Sequence, residues 1–337
     1  MLTHELDLFA QANQTPEVFG LHDNADIAKD AANTSTLLDS LLVAGGSSGG
    51  GAGKSEERVV AGIVEEVLRR LPPDFDLEKA QAKYPVLYAE SMNQVLCQEM
   101  LRYNKLLSVV RSSLQNLDKA LQGLQVMSAS LEVAFRSLAV GAVPAMWMTH
   151  SFPCLKSAAG YVQELLDRLA MLQAWFDDGP PAIFWVSGFF FTPAFLTAGL
   201  QNFARKNCIP IDEVDYDFRV LGLDPRPYAV APEAGVYIKG LFLEGCGYDA
   251  TKAMLCESVP KVLHVPAPIF WLEPRRLHEM SEFPHYNCPV YRTADRRGVL
   301  ATTGHSTNFL RFMRFPSEAP QHHWVLRGVC MLSSLPE

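Results

Sequence analysis

A few groups of residues have types and spacings that could do chemistry. Gly53-Lys54-Ser55 supplies the last three positions of a G-x-x-x-x-G-K-[ST] phosphate loop, in which backbone N–H groups and a helix N-terminus cradle phosphate. The first glycine of that pattern falls on Ser48, and the preceding residues carry Asp39 on an amphipathic helical pattern where a buried strand is required. The run Gly45–Gly53 (GGSSGGGAG) is therefore expected to be a flexible loop and not a nucleotide site. Gly304-His305-Ser306-Thr307-Asn308 approaches the G-x-S-x-G nucleophile elbow, but Asn308 stands at the closing glycine and a strand pattern follows where a helix should. His305 and Ser306 are adjacent, so an extended backbone points them to opposite faces. A turn with a capping serine is the expectation. His278, His285 and Cys288 are zinc-ligand types without a fourth ligand at finger-like spacing, and Cys288 needs tertiary contact with His305 to form a thiol dyad. His322-His323 reads as a solvated strand end, and the acidic pairs Glu56-Glu57 and Asp177-Asp178 read as helix-end caps. No catalytic, cofactor-binding or metal-binding residue emerges.

The elements that would position such groups are bounded first by composition. The chain has 337 residues, 48% hydrophobic, with 29 Lys plus Arg against 37 Asp plus Glu and a net charge of −8. That length suits one large domain or two. The acidic balance argues against nucleic acid, whose binders release phosphate counterions with a basic face. Seven dispersed cysteines with no C-x-x-C fit reduced thiols better than a disulfide framework. The opening MLTHELDLFAQANQTPE has neither a basic nor a long apolar secretory region, and its abrupt start suits a piece of a longer protein. Gly179–Ala204 holds no charge, as a membrane span would, but Pro180-Pro181, Ser187-Gly188, Pro193 and Gln201-Asn202 break it. It reads as a buried strand, Ile183–Val186, then a turn, then a helix opening with Thr192 as N-cap and Pro193 first inside.

Helical periodicity dominates the first half. Segments are expected from about Asp26 through Leu42, from Glu56 to Arg70, and from Leu155 to Phe176. The strongest runs from Met92 to Leu124, with apolar residues spaced by three and four, which at ~1.5 Å per residue would reach about 50 Å. Its polar positions, Glu99, Arg102, Lys105, Arg111 and Lys119, are expected on the opposite face, available for docking on neighbouring structure. Beyond Pro210 the period switches to two. Strands are expected at Val214–Val220, Gly235–Gly245, the PAPIFWLEP stretch, Cys288–Thr293, Asn308–Phe315 and His323–Leu332. The fold class is α+β: an N-terminal helical part with one long helix, then a β-rich incomplete antiparallel barrel.

Several stretches, in order, resemble the C-terminal region of dynein heavy chains: FGLHDNADI (19–27), YPVLYAESMNQVLCQEMLRYNKLL (84–107), FWVSGFFFTPAFLT (184–197), QNFARKNCIPID (201–212), GVYIKGLFLEGCGYD (235–249), ESVPKVL (257–263), CPVYRT (288–293), TTGHSTNF (302–309) and HWVLRGVCML (323–332). CPVYRT and TTGHSTNF are similar to the axonemal, ciliary and flagellar branch. Departures are local: Pro193 stands where Gln is expected, Tyr248 where Trp is expected, and the glycine run 45–53 is extra. The resemblance implies that residues 1–30 end the lid of a sixth AAA+ module, 31–180 are the helical part of the C-terminal domain, and 181–337 its barrel-like part. It implies a non-catalytic regulatory domain that caps the AAA+ ring of an ATP-driven, minus-end-directed microtubule motor. A purely structural ring-stabilising role is the alternative. ATP and Mg would bind elsewhere in the parent protein. The implied partners are ring modules of the same heavy chain within an axonemal dynein complex, with no nucleic acid, membrane or direct microtubule contact.

Overall fold

The computed structural model describes residues 53–296, 299–300 and 304–335, together with Asn24, Ile27, Asp30 and Thr34. Those four are helical; the rest of the expected lid segment, of the Asp26–Leu42 helix and of the 45–53 loop lies outside the described residues.

Eight α-helices occur among the described residues. They are α1 (Gly53–Arg70), α2 (Leu77–Lys83), α3 (Ser91–Leu121), α4 (Ala129–Ala139), α5 (Ala145–Met148), α6 (Ala158–Asp178), α7 (Thr192–Lys206) and α8 (Gln321–Leu326). α3 is 31 residues long, and three- and four-residue spacing puts Leu96, Met100, Tyr103, Leu107, Val110, Leu114 and Leu117 on its buried side. It ends three residues short of Leu124, at Leu121, where Gly123 turns the backbone with φ +74°. α6 starts at Ala158, not Leu155, because the Ser157 hydroxyl accepts the Gly160 N–H and fixes the N-terminus there. At its other end Asp177-Asp178 are not the cap. Lys83 donates to the carbonyls of Phe176 and Asp177 at 2.6 and 2.9 Å, supplying the cation that a helix C-terminus favours.

The strands are β1 (Ile183–Trp185), β2 (Val214–Gly222), β3 (Val236–Lys239), β4 (Phe242–Glu244), β5 (Gly247–Asp249), β6 (Met254–Cys256), β7 (His264–Pro266), β8 (Ile269–Arg276), β9 (His285–Tyr291), β10 (Phe309–Pro316) and β11 (Cys330–Leu332). They form a four-stranded sheet ordered β1-β3-β8-β2, a five-stranded sheet ordered β10-β9-β11-β4-β7, and the β5-β6 ribbon. None closes into a barrel among the described residues, and the pairing is mixed, with β1–β3 and β9–β11 parallel. The run Gly235–Gly245, expected as one strand, is two strands in different sheets. Gly240, at φ +95°, bends the backbone between them beneath the Trp185 ring. His323–Leu332 is likewise not one strand. Its first half winds into α8, which buries Trp324 with its indole N–H on Ser317 Oγ at 2.7 Å, and Gly328 then turns into β11.

One hydrophobic core runs from Val60 in α1 to Met331 in β11 and is continuous across residue 180. Around Phe189 it becomes a ring-packed cluster, with Phe195 stacked at 4.4 Å and Phe184 tilted against Phe195 at 4.9 Å.

Candidate functional site: the long helix and its clamp

α3 is held in place partly by polar contacts from Glu99, Arg102 and Arg111, positions that sequence spacing assigned to the face opposite its apolar one. Glu99 is fully buried: its carboxylate accepts the backbone N–H groups of Phe190 and, at 3.0 Å, Phe191. These residues lead into α7, which starts at Thr192 with Phe191 as N-cap and no capping side chain of its own. Thr192 is thus the first helical residue, and Glu99 from another helix holds the two backbone amides immediately ahead of it. Burial pushes the Glu99 carboxyl above its ordinary range, while the two N–H donors and Arg102 pull the other way. Arg102 pairs with Glu99 at 3.0 Å and lies 5.2 Å from the Phe191 ring centre.

A second buried ionic group sits beside the first. Arg168 in α6 donates to Glu164, to the carbonyl of Phe189 at 3.3 Å and to Tyr103 Oη at 3.5 Å, and its guanidinium lies 3.7 Å from the Phe152 ring centre. Tyr103 in turn donates to the Gly188 carbonyl at 3.0 Å. Burial alone would raise the Glu164 carboxyl, but Arg168 and Lys156, the latter at 3.1 Å, hold it below its ordinary value. Carbonyl and amide groups of the 188–191 turn are thereby fixed to α3 and α6. At the start of α3, the Ser91 N–H donates to Asn202 Oδ1 at 2.8 Å and the Ser91 hydroxyl to Gln201 Oε1 at 2.9 Å, both on α7.

The structure divides the five polar positions read from the sequence. Glu99 is buried, and Arg102 and Arg111 are half-buried in ion pairs, the latter with Asp74 at 2.6 Å and the Pro72 carbonyl at 2.7 Å. Lys105 and Lys119 are exposed. They lie on one stripe with Gln94, Leu101, Ser108 and Gln115, spaced by three, four and seven residues. The turn beyond α3 adds exposed apolar tips, Leu124 at 74% and Val126 at 86%. The spacing marked the stripe and placed Tyr103 on the buried side, but Glu164 and Arg168 had no sequence signal beyond being polar groups on an apolar-rich helix.

The residues with reactive chemistry are not brought together. Cys288 is fully buried and burial raises its thiol well above the ordinary value, whereas His305 is exposed and stacks on Phe309 at 4.5 Å. His278 is exposed on a short turn, and His285 Nδ1 donates to the Phe283 carbonyl at 2.7 Å. No group of three His, Cys, Asp or Glu side chains poised for a metal occurs among the described residues. His322 and His323 lie in α8, not at a strand end, and His323 Nε2 is 2.7 Å from Glu257. The seven cysteines are free thiols. No helix among the described residues is long and apolar enough to cross a membrane.

The family profile for the C-terminal domain of dynein heavy chains matches residues 31–333. The protein belongs to that family. It is 50% identical over 325 residues to human dynein axonemal heavy chain 3, which is 95% of its own length and 8% of the relative's. Mouse dynein axonemal heavy chain 12 is 47% identical over 323 residues, 96% of this protein and 10% of the relative. Human dynein axonemal heavy chain 1 is 45% identical over 323 residues, 96% and 8% respectively. The sequence thus spans a tenth or less of the length of these heavy chains. In this dynein C-terminal domain, the clamp lies wholly inside the matched region.

Proposed function

We propose that this protein is the C-terminal regulatory domain of an axonemal dynein heavy chain, working in the ciliary or flagellar axoneme. In this reading it lies against the AAA+ ring of an ATP-driven, minus-end-directed microtubule motor and couples ring modules through α3. ATP and Mg belong to other parts of that heavy chain, and the fragment carries no catalytic step of its own. The observation that supports the reading is the division of labour on α3. One side is locked to the domain by Glu99, Tyr103 and the core leucines, and the other presents a continuous stripe through Lys105 and Lys119. A helix held rigidly on one side can transmit a displacement applied to the other, biasing a ring equilibrium through differential contacts.

The test is charge reversal on the stripe, Lys105→Glu with Lys119→Glu, in the full heavy chain. Altered microtubule gliding velocity and stimulated ATPase rate, at unchanged expression and melting temperature, are expected. Unchanged motility would sink the regulatory reading and leave a purely structural ring-stabilising element.

A further inference from the structure

The β6–β7 connection contains a turn whose geometry its own side chains do not explain. Val259-Pro260-Lys261-Val262 is closed by the Val262 N–H donating to the Val259 carbonyl at 3.1 Å, and Lys261 is left-handed at φ +69°. Proline second and a positive φ third define a type II turn, whose third position favours glycine because a side chain there is strained. All four side chains are exposed, so packing does not hold the turn.

Its backbone is held from elsewhere. Asn24, buried at 7% exposure, donates through Nδ2 to the carbonyls of Val259 and Val262 at 3.0 and 2.9 Å, and its Oδ1 accepts the Lys261 N–H at 2.7 Å. One carboxamide thus satisfies both carbonyls and the N–H of the strained residue, from a helical position ahead of the matched domain region, which begins at 31.

We propose that Asn24 is a clasp fastening the segment ahead of the C-terminal domain to its β-rich half. The Val259–Val262 turn is the receptor surface, and the left-handed Lys261 conformation depends on the Asn24 carboxamide being seated there. The clasp stands independently of the motor reading, since its test involves no motility.

The experiment is amide hydrogen exchange on the whole protein with Asn24→Ala and Asn24→Asp, the latter keeping shape and an acceptor but losing both donors. Asn24→Ala is expected to accelerate exchange at Lys261 and Val262 by about tenfold or more, one lost hydrogen bond being worth about that factor, whereas Asn24→Asp, which keeps the acceptor of the Lys261 N–H, should accelerate Val262 and leave Lys261 closer to the parent. The amides of α3 should stay protected. In a Lys261→Gly background, where glycine adopts the positive φ without strain, the Asn24→Ala effect at residue 262 should shrink. Unchanged exchange across 257–264, acceleration spread evenly through α3, or an undiminished effect in the glycine background would each overturn the clasp.

Discussion

Glu99 on the long helix accepts the backbone N–H of Phe191, 92 residues away, at 3.0 Å, and so anchors the residue that leads into a helix to which it does not belong. Replacing Glu99 with alanine takes the acceptor from two partly buried amide donors and removes the partner of Arg102. Glu99→Ala is expected to cost about 3 kcal/mol, and Glu99→Gln about 1, because an amide oxygen still accepts one of the two. Chemical denaturation of the purified protein measures both.

The pH dependence of the same residue has a definite sign. Burial raises the Glu99 pKa above its ordinary 4.5, so the folded state binds the proton more tightly than the unfolded one. Its contribution is complete below the unfolded pKa and declines as pH rises through the folded value. The stability of the parent protein relative to Glu99→Gln should therefore fall as pH rises above 4.5. A flat difference would contradict a raised carboxyl.

Glu164 should behave in the opposite sense. Arg168 and Lys156 keep its pKa below 4.5 despite burial, so its contribution is present above the unfolded value and lost as pH falls through the folded one. Glu164→Gln leaves Arg168 buried beside Tyr103 and Phe152 without its anion. A loss of about 3–5 kcal/mol at neutral pH is expected, as for other broken buried pairs, narrowing in acid. Paired denaturation curves for the two variants would show the two opposed trends.

Gly240 and Gly123 separate backbone strain from collision. Both have positive φ, but a Cβ at Gly240 would stand 2.2 Å from Trp185 Cδ1, while one at Gly123 meets nothing within 4 Å. Gly123→Ala should cost about 1 kcal/mol, the left-handed penalty. Gly240→Ala should cost several times more, because β3 and β4 can enter separate sheets only if the backbone bends beneath that ring. Melting temperatures of the two variants would rank them, and equal losses would contradict the steric account.

The sequence carried the long helix's apolar side and most strand positions because three- and four-residue or two-residue spacing reports burial directly. It did not carry the fate of Glu99. A lone carboxylate between Gln98 and Met100 looks like a solvated position, and only the arrival of Phe190 and Phe191 from another element makes it a buried acceptor. The split at Gly240 was hidden in the same way, since period-two alternation continues across it and the reason to bend is Trp185, 55 positions earlier. His323–Leu332 misled by alternating apolar residues that one helical turn accommodates equally well. What sequence period cannot report is which non-local partner supplies a backbone's hydrogen bonds.

The exposed and half-buried polar groups of α3 should separate in a stability series before any motility is measured. Lys105→Ala and Lys119→Ala remove exposed cations from the outer stripe, so each should lie within about 0.5 kcal/mol of the parent. Arg111→Ala removes a bond to the Pro72 carbonyl as well as the pair with Asp74, whose side chain is 47% exposed, so about 1 kcal/mol is expected. If lysine and arginine variants lose equal stability, the stripe is part of the domain's own fold, and its availability to a neighbouring surface fails with that result.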